Sequence, residues 1–150
     1  MKRDWLFGAL VACALATLLH HAHNAAFLDH YPNMPAWLSA PMVYAAWVGA
    51  TGIGIAGYWL WRTGPALAGY VLMIAYGCYG LDGLVHYVFA PVSAHTAAMN
   101  LSIWLEAVAA AVLLVVLLRI GREKGPDPFY AKPAITLMCC TALLPSAESE

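Results

Sequence analysis

Between Arg3 and Arg119 the chain carries a single lysine or arginine, Arg62, and the stretches on either side of it are long and apolar. Of the 150 residues, 63% are hydrophobic and 10% are charged. Soluble domains carry about 25% charged residues, and a helix needs about 20 apolar residues to cross a bilayer. The sequence therefore predicts an all-α integral membrane protein rather than a soluble domain.

Four segments have the length and composition of membrane-spanning helices. We expect these spans at about residues 5–21, 42–61, 66–89 and 97–118. Glycine and alanine recur in the last three, which favours close packing of helices inside a membrane. The four spans should form one bundle within residues 1–122. Residues 123–150 should form a tail, whose apolar part is too short to span.

The basic residues and the histidines fall at opposite ends of these spans. Lysine and arginine flank the first and fourth spans and the turn between the second and third, whereas the histidines lie in or near the other two connections: His20, His21, His23, His30, His86 and His95. Cytoplasmic connections carry an excess of Lys and Arg. We therefore expect cytoplasmic termini, histidines at the outer face, and a multi-pass protein of the cell inner (plasma) membrane.

The first span also has the basic start and the apolar run of a secretory signal peptide. No pair of small residues at cleavage positions follows that run before Asp29, so we expect a retained helix. Cleavage would remove His20, His21 and His23 and would weaken any argument built on them.

Histidine and carboxylate side chains near the outer face predict a metal site. Asp82 and His86 are four residues apart and would stack on one face of the third helix, where a carboxylate needs a partner, a proton or a cation. His20 and His23 share a face of the first helix if it continues that far. His95 lies in a short connection that reaches the same surface. The predicted metal ligands are His20, His23, Asp82, His86 and His95.

Three further titratable residues, Glu106, His21 and His30, lie outside the predicted ligand set. Glu106 lies about three turns inside the fourth span, where it is a deep ligand, a proton acceptor, or a neutral acid bonded to Ser102 or a tyrosine. His21 and His30 are expected to be ordinary interfacial residues.

The order of Asp82, His86 and His95 resembles the Asp–His–His metal-ligand order in a membrane subunit of the particulate methane and ammonia monooxygenases. The likeness covers residues 82–95, and its second interval is shorter than in that family. The resemblance implies non-haem metal chemistry at these three residues.

These observations favour an outward-facing transition-metal site for metal handling or metal-assisted chemistry, and they leave open whether the protein is an enzyme. Imidazole and carboxylate ligands suit Zn, Cu or non-haem Fe. One alternative is an electron-transfer protein with haem b held by His86 and either His20 or His23. Another is an accessory subunit of a larger membrane complex, with no site of its own. The expected partners are the lipid bilayer and further copies or a partner membrane subunit. Nucleic acid is not expected, since no basic patch is present.

Overall fold

The computed structural model describes residues 2–124 of the chain, with side chains over residues 5–122, and the described part is helical without strands. Five α-helices follow one another: α1 (Lys2–Ala26), α2 (Ala40–Thr63), α3 (Ala66–Tyr79), α4 (His86–Phe89) and α5 (Ala97–Lys124). Short 3₁₀ turns occupy Leu28–His30, Asp82–Val85 and Val92–Ala94. The predicted tail lies outside the described residues from position 125 onward.

Four helical segments are long and apolar enough to cross a membrane, as the sequence predicted: Trp5–Ala26, Ala40–Thr63, Ala66–Phe89 and Ala97–Arg122. Large apolar side chains lie exposed along each of them, among them Val11, Val48, Val71 and Val108. An exposed apolar surface of this extent indicates contact with lipid or with another protein.

The first helix is longer than the predicted span. It continues through His20, His21 and His23 to Ala26, and no glycine or proline occurs between residues 9 and 31 to end it earlier. The histidines therefore lie on a regular helix rather than in a loop. At the connection before α5, Thr96 caps the N-terminus of that helix. Its Oγ1 accepts a hydrogen bond from the backbone N–H of Met99 at 3.2 Å.

The third span is not the continuous α-helix that we expected over residues 66–89. Helix α3 ends at Tyr79, a 3₁₀ turn follows, and α4 adds one more turn. Gly80 and Leu81 have ψ angles of 3° and −1°, whereas α-helical residues lie near −42°. A Cβ on Gly80 would stand 2.9 Å from that of Ala110, so the chain at this point approaches α5 more closely than a side chain allows.

This break changes the relation between Asp82 and His86. With three residues per turn, two side chains four residues apart are rotated about 120° from each other. The expected stacking of Asp82 above His86 on one α-helical face is therefore wrong.

Small residues, and an apolar core built from side chains of several helices, hold the antiparallel spans together. A Cβ on Gly57 would lie 3.0 Å from the carbonyl oxygen of Gly69, so α2 and α3 are in backbone contact there. Leu6 and Cys13 of α1 are buried with Met73 of α3 and Leu113 of α5 in the main core cluster. This packing brings the last turns of α1, the 3₁₀ turn and α4, and the first turns of α5 to one end of the bundle, which we name the histidine end. Arg62 and Arg119 lie at the other ends of their helices.

Candidate functional site: a buried histidine–glutamate centre

Four histidines and one glutamate form a buried cluster at the histidine end, which we name the centre: His20, His21, His86, His95 and Glu106. Their exposed fractions range from 0% for Glu106 to 8% for His86. The ring centroids of His20 and His86 are 5.3 Å apart, and those of His86 and His95 are 6.1 Å apart. Three of the predicted ligands, from three different segments, are thus neighbours.

His20 and Glu106 face each other within the centre. Nε2 of His20 lies 3.6 Å from Oε2 of Glu106, which is too long for a hydrogen bond. The other ring nitrogen, Nδ1, lies 3.2 Å from Oγ of Ser102, and that hydroxyl donates to the carbonyl oxygen of Met99. Since the hydroxyl proton is used, Ser102 accepts from Nδ1–H of His20. The lone pair of Nε2 then faces the carboxyl group.

His21 is buried and has partners on both ring nitrogens, whereas we expected an interfacial residue. Its Nδ1–H donates to the carbonyl oxygen of Thr17 at 2.8 Å, and the hydroxyl of Tyr79 donates to its Nε2 at 3.0 Å. Nδ1 also lies 3.7 Å from Oε1 of Glu106. His21 has no free lone pair, so its role is to hold the wall of the centre in place.

His95 is positioned by the short connection before α5. Its Nδ1–H donates to the carbonyl oxygen of Pro91 at 3.1 Å, which leaves Nε2 as a lone pair. The side chain of Asn100 donates to the carbonyl oxygens of Val92 and His95, and its Oδ1 accepts from the hydroxyl of Tyr87. A histidine that gives one N–H to a backbone carbonyl and keeps the other nitrogen free has the arrangement usual for a metal ligand.

Tyr31 covers the centre from the connection between α1 and α2. The sequence did not predict this role. Its ring is 3% exposed and lies 4.9 Å from that of His86, measured between centroids. Burial raises the pKa of the Tyr31 phenol, so the neutral hydroxyl is the form that meets Nδ1 of His23 at 2.8 Å. Asn33 fastens the same connection: its Nδ2 donates to the carbonyl oxygen of Phe89 at 2.8 Å, and its φ of 58° is one that asparagine tolerates.

The remaining histidines and Asp82 lie around this group. His23 is partly buried and is hydrogen-bonded to Tyr31, which packs against the centre. Asp82 is partly buried beside His20, His21 and His86 in the wall of a cavity. His30 is exposed and packs against Phe27. His20, His86 and His95 therefore form the inner set, with His23 and Asp82 at its margin.

Unpaired polar atoms are concentrated at this end of the bundle. Eight buried side-chain atoms of the described residues have no hydrogen-bond partner, and six of them belong to the centre or to the adjoining Asn24 and Asp82. In the centre they are Nδ1 of His86, Nε2 of His95 and both carboxyl oxygens of Glu106. An unsatisfied buried polar group costs about 1–3 kcal/mol. Such a concentration calls for protons, water molecules, an ion or a polar ligand to offset it.

As the side chains stand, no three His, Cys, Asp or Glu residues in the described part of the chain are arranged to hold a metal ion. The donor atoms surround a common region but do not converge on one point. Glu106 was recognisable from its sequence as an intramembrane carboxylate, but its placement against His20 was not. Tyr31 and Asn24 carried no comparable signal.

Comparison with protein-family models, curated proteins and solved structures finds no match for this chain.

Proposed function

We propose that this chain is a multi-pass membrane protein that binds one transition-metal ion at the centre, with His20, His86 and Glu106 as ligands. His95 is the fourth donor, reached by rotation of its ring. The observation that carries the proposal is the group of unpaired polar atoms, which combines imidazole nitrogens with a completely buried carboxyl group.

The spacing of His20 and Glu106 supports an ion between them. Two donor atoms that each lie about 2.1 Å from one tetrahedral ion are about 3.4 Å apart, and Nε2 of His20 lies 3.6 Å from Oε2 of Glu106. A bound cation would also supply the partner that an intramembrane carboxylate needs. Ring rotations of His86 and His95 would complete the set.

The donor types favour zinc, copper(II) or non-haem iron, because imidazole and carboxylate groups suit these ions. The hydrogen bond from His20 to Ser102 supports the same assignment, since it orients the ring and frees the opposite nitrogen. The ion would serve metal-assisted chemistry or metal handling at the outer face of the membrane.

A haem is less compatible with the arrangement than a single ion. The rings of His20 and His86 are in edge-to-face contact, with 5.3 Å between centroids and 72° between planes. Two axial ligands must stand on opposite faces of a porphyrin, and a porphyrin plane cannot pass between rings in contact.

A metal-free acid–base centre is the second candidate. Its supporting observation is that no donor set converges in the described residues. A proton on Glu106 would then face the lone pair of His20, and the pair would move protons to or from a bound molecule.

Metal titration of purified protein separates the two candidates. We expect about one zinc ion per chain by equilibrium dialysis at neutral pH, and at least a tenfold weaker affinity in Glu106→Gln, which keeps the size of the side chain. His30→Ala is the matched control, because His30 is exposed and outside the centre. Equal affinity in wild type and Glu106→Gln, or no binding to either, would contradict the metal proposal.

A further inference from the structure

A cavity of about 310 Å³ adjoins the centre, between α1, α2 and the third span. Its inner wall includes His20, His86 and Asp82, and its outer wall is apolar, with Met34, Met42 and Phe89 among the residues that line it. A mostly apolar cavity with a few polar groups on one side is the usual form of a small-molecule site.

The size of the cavity limits what it holds. Since a water molecule occupies about 30 Å³ in the liquid, the volume corresponds to about ten non-hydrogen atoms. A space of this size suits a small amphiphile better than a whole phospholipid or a porphyrin.

The charges around the cavity disfavour an anionic ligand when no metal is bound. Asp82 lines it, and no lysine or arginine does. Arg62 and Arg119 lie toward the opposite end of the bundle. In protein without bound metal, a phosphate or carboxylate group in this cavity would face the carboxyl group of Asp82 with no lysine or arginine to offset its charge.

The rim of the cavity faces the apolar surface of the bundle. Met42, Val85 and Phe89 line the cavity and are 45% to 50% exposed on that surface. The connection after α1 forms the roof with Met34, Pro35 and Leu38 and is fastened by the bond from Asn33 to Phe89. A molecule dissolved in the bilayer would therefore reach the cavity through apolar side chains.

We propose that this cavity binds a neutral, bilayer-soluble molecule of about ten non-hydrogen atoms, with a hydroxyl group directed at His86 and Asp82. A hydroxyl both donates and accepts, which matches a wall made of imidazole, carboxyl, amide and phenol groups. The molecule is the substrate of the centre, and that role, unlike the binding itself, rests on the metal site proposed above.

Photolabelling with an octan-1-ol that carries a diazirine in its chain tests the binding. We expect labels on residues 42–46 and 85–89, and their loss when unlabelled octan-1-ol competes. In protein stripped of metal by a chelator, the corresponding octanoate probe should label these residues at least ten times less. Equal labelling by both probes, or labelling that octan-1-ol does not displace, would overturn the proposal.

Two alanines of α2 offer a matched pair of variants. Ala46 lines the cavity and Ala45 does not, and both are exposed, so neither substitution disturbs the core. Ala46→Trp should lower labelling at residues 85–89 at least tenfold, whereas Ala45→Trp should not, and equal labelling of the two would contradict the site. If Ala46→Trp does not fold, the competition by unlabelled octan-1-ol in the wild-type protein decides whether the site exists.

Metal content measured on the same preparations distinguishes the two proposals. Specific labelling of protein without metal supports the cavity and counts against the metal centre. Bound metal without specific labelling overturns the cavity and leaves the metal centre standing.

Discussion

His20 and Glu106 face each other across 3.6 Å in the interior of the bundle, with side chains 3% and 0% exposed. The two residues lie 86 positions apart and come from the antiparallel helices α1 and α5. Neither has room to turn toward solvent. The pair is thus the point where the fold places a titratable acid against a titratable base, and the predictions below probe it and its surroundings.

The first prediction concerns His86, which belongs to the inner set, and Asp82, which lies at its margin. His86→Ala should remove most of the bound metal, because it deletes one of the buried donors of the inner set. Asp82→Asn should weaken affinity by about 10–100-fold, as the loss of an outer hydrogen-bonding group typically does. Competition with a chelator of known affinity measures both. Stoichiometric metal retained in His86→Ala would remove this residue from the site.

The second prediction uses the glycine beneath the pair. A Cβ on Gly83 would lie 2.5 Å from Oε2 of Glu106 and 3.6 Å from Nε2 of His20. Gly83→Ala should therefore displace the carboxyl group and lower metal affinity at least tenfold while the fold persists. Gly52→Ala is the control, since its Cβ would meet nothing within 4 Å. If both variants bind metal like wild type, Glu106 is not a ligand.

The third prediction concerns the cover over the centre. Tyr31→Ala removes a buried ring that packs against His86 and should speed the loss of metal to an external chelator by tenfold or more. Tyr31→Phe keeps the ring and loses only the hydroxyl bonded to His23, so its rate should stay within about threefold of wild type. Stopped-flow measurement with a coloured chelator gives both rates. Equal rates of metal loss from Tyr31→Ala and wild type would show that Tyr31 does not limit the exchange of metal with the chelator.

The fourth prediction tests the packing of α2 on α3. A Cβ on Gly69 would overlap the backbone of Trp61 and Gly57. Gly69→Ala should lower stability by about 1–3 kcal/mol, the range found for overpacked sites. Gly49→Ala adds the same methyl group where nothing lies within 4 Å and should leave stability nearly unchanged. Unfolding by increasing SDS in mixed micelles gives the comparison, and equal unfolding curves would contradict the close contact.

Hydropathy and charge are properties of local sequence, and they were sufficient for the four spans and for the end at which the histidines gather. The break after Tyr79 was not predictable in this way. It depends on how closely Gly80 and Gly83 approach α5, which the sequence of the third span alone does not contain. The expectation that Asp82 and His86 share a helical face failed for this reason.

The partners of Glu106 were unpredictable for a related reason. A carboxylate within an apolar span is rare, so the sequence alone marks Glu106 as a candidate functional residue. Which residue faces Glu106 depends on the rotation of α5 against α1, and that rotation is set by packing along both helices. Tyr31 lies in a connection without regular periodicity, so nothing local indicated that it would be 3% exposed above the histidines.

Elemental analysis tests the central claim most directly. The chain would be purified in mild detergent without a histidine tag or chelator, and its content of iron, copper, zinc and nickel would be measured per chain. The account predicts about one transition-metal ion per chain, lost in His20→Ala and retained in His30→Ala. Absence of metal, persisting after reconstitution at neutral pH, would contradict it and would favour a metal-free centre or an accessory subunit.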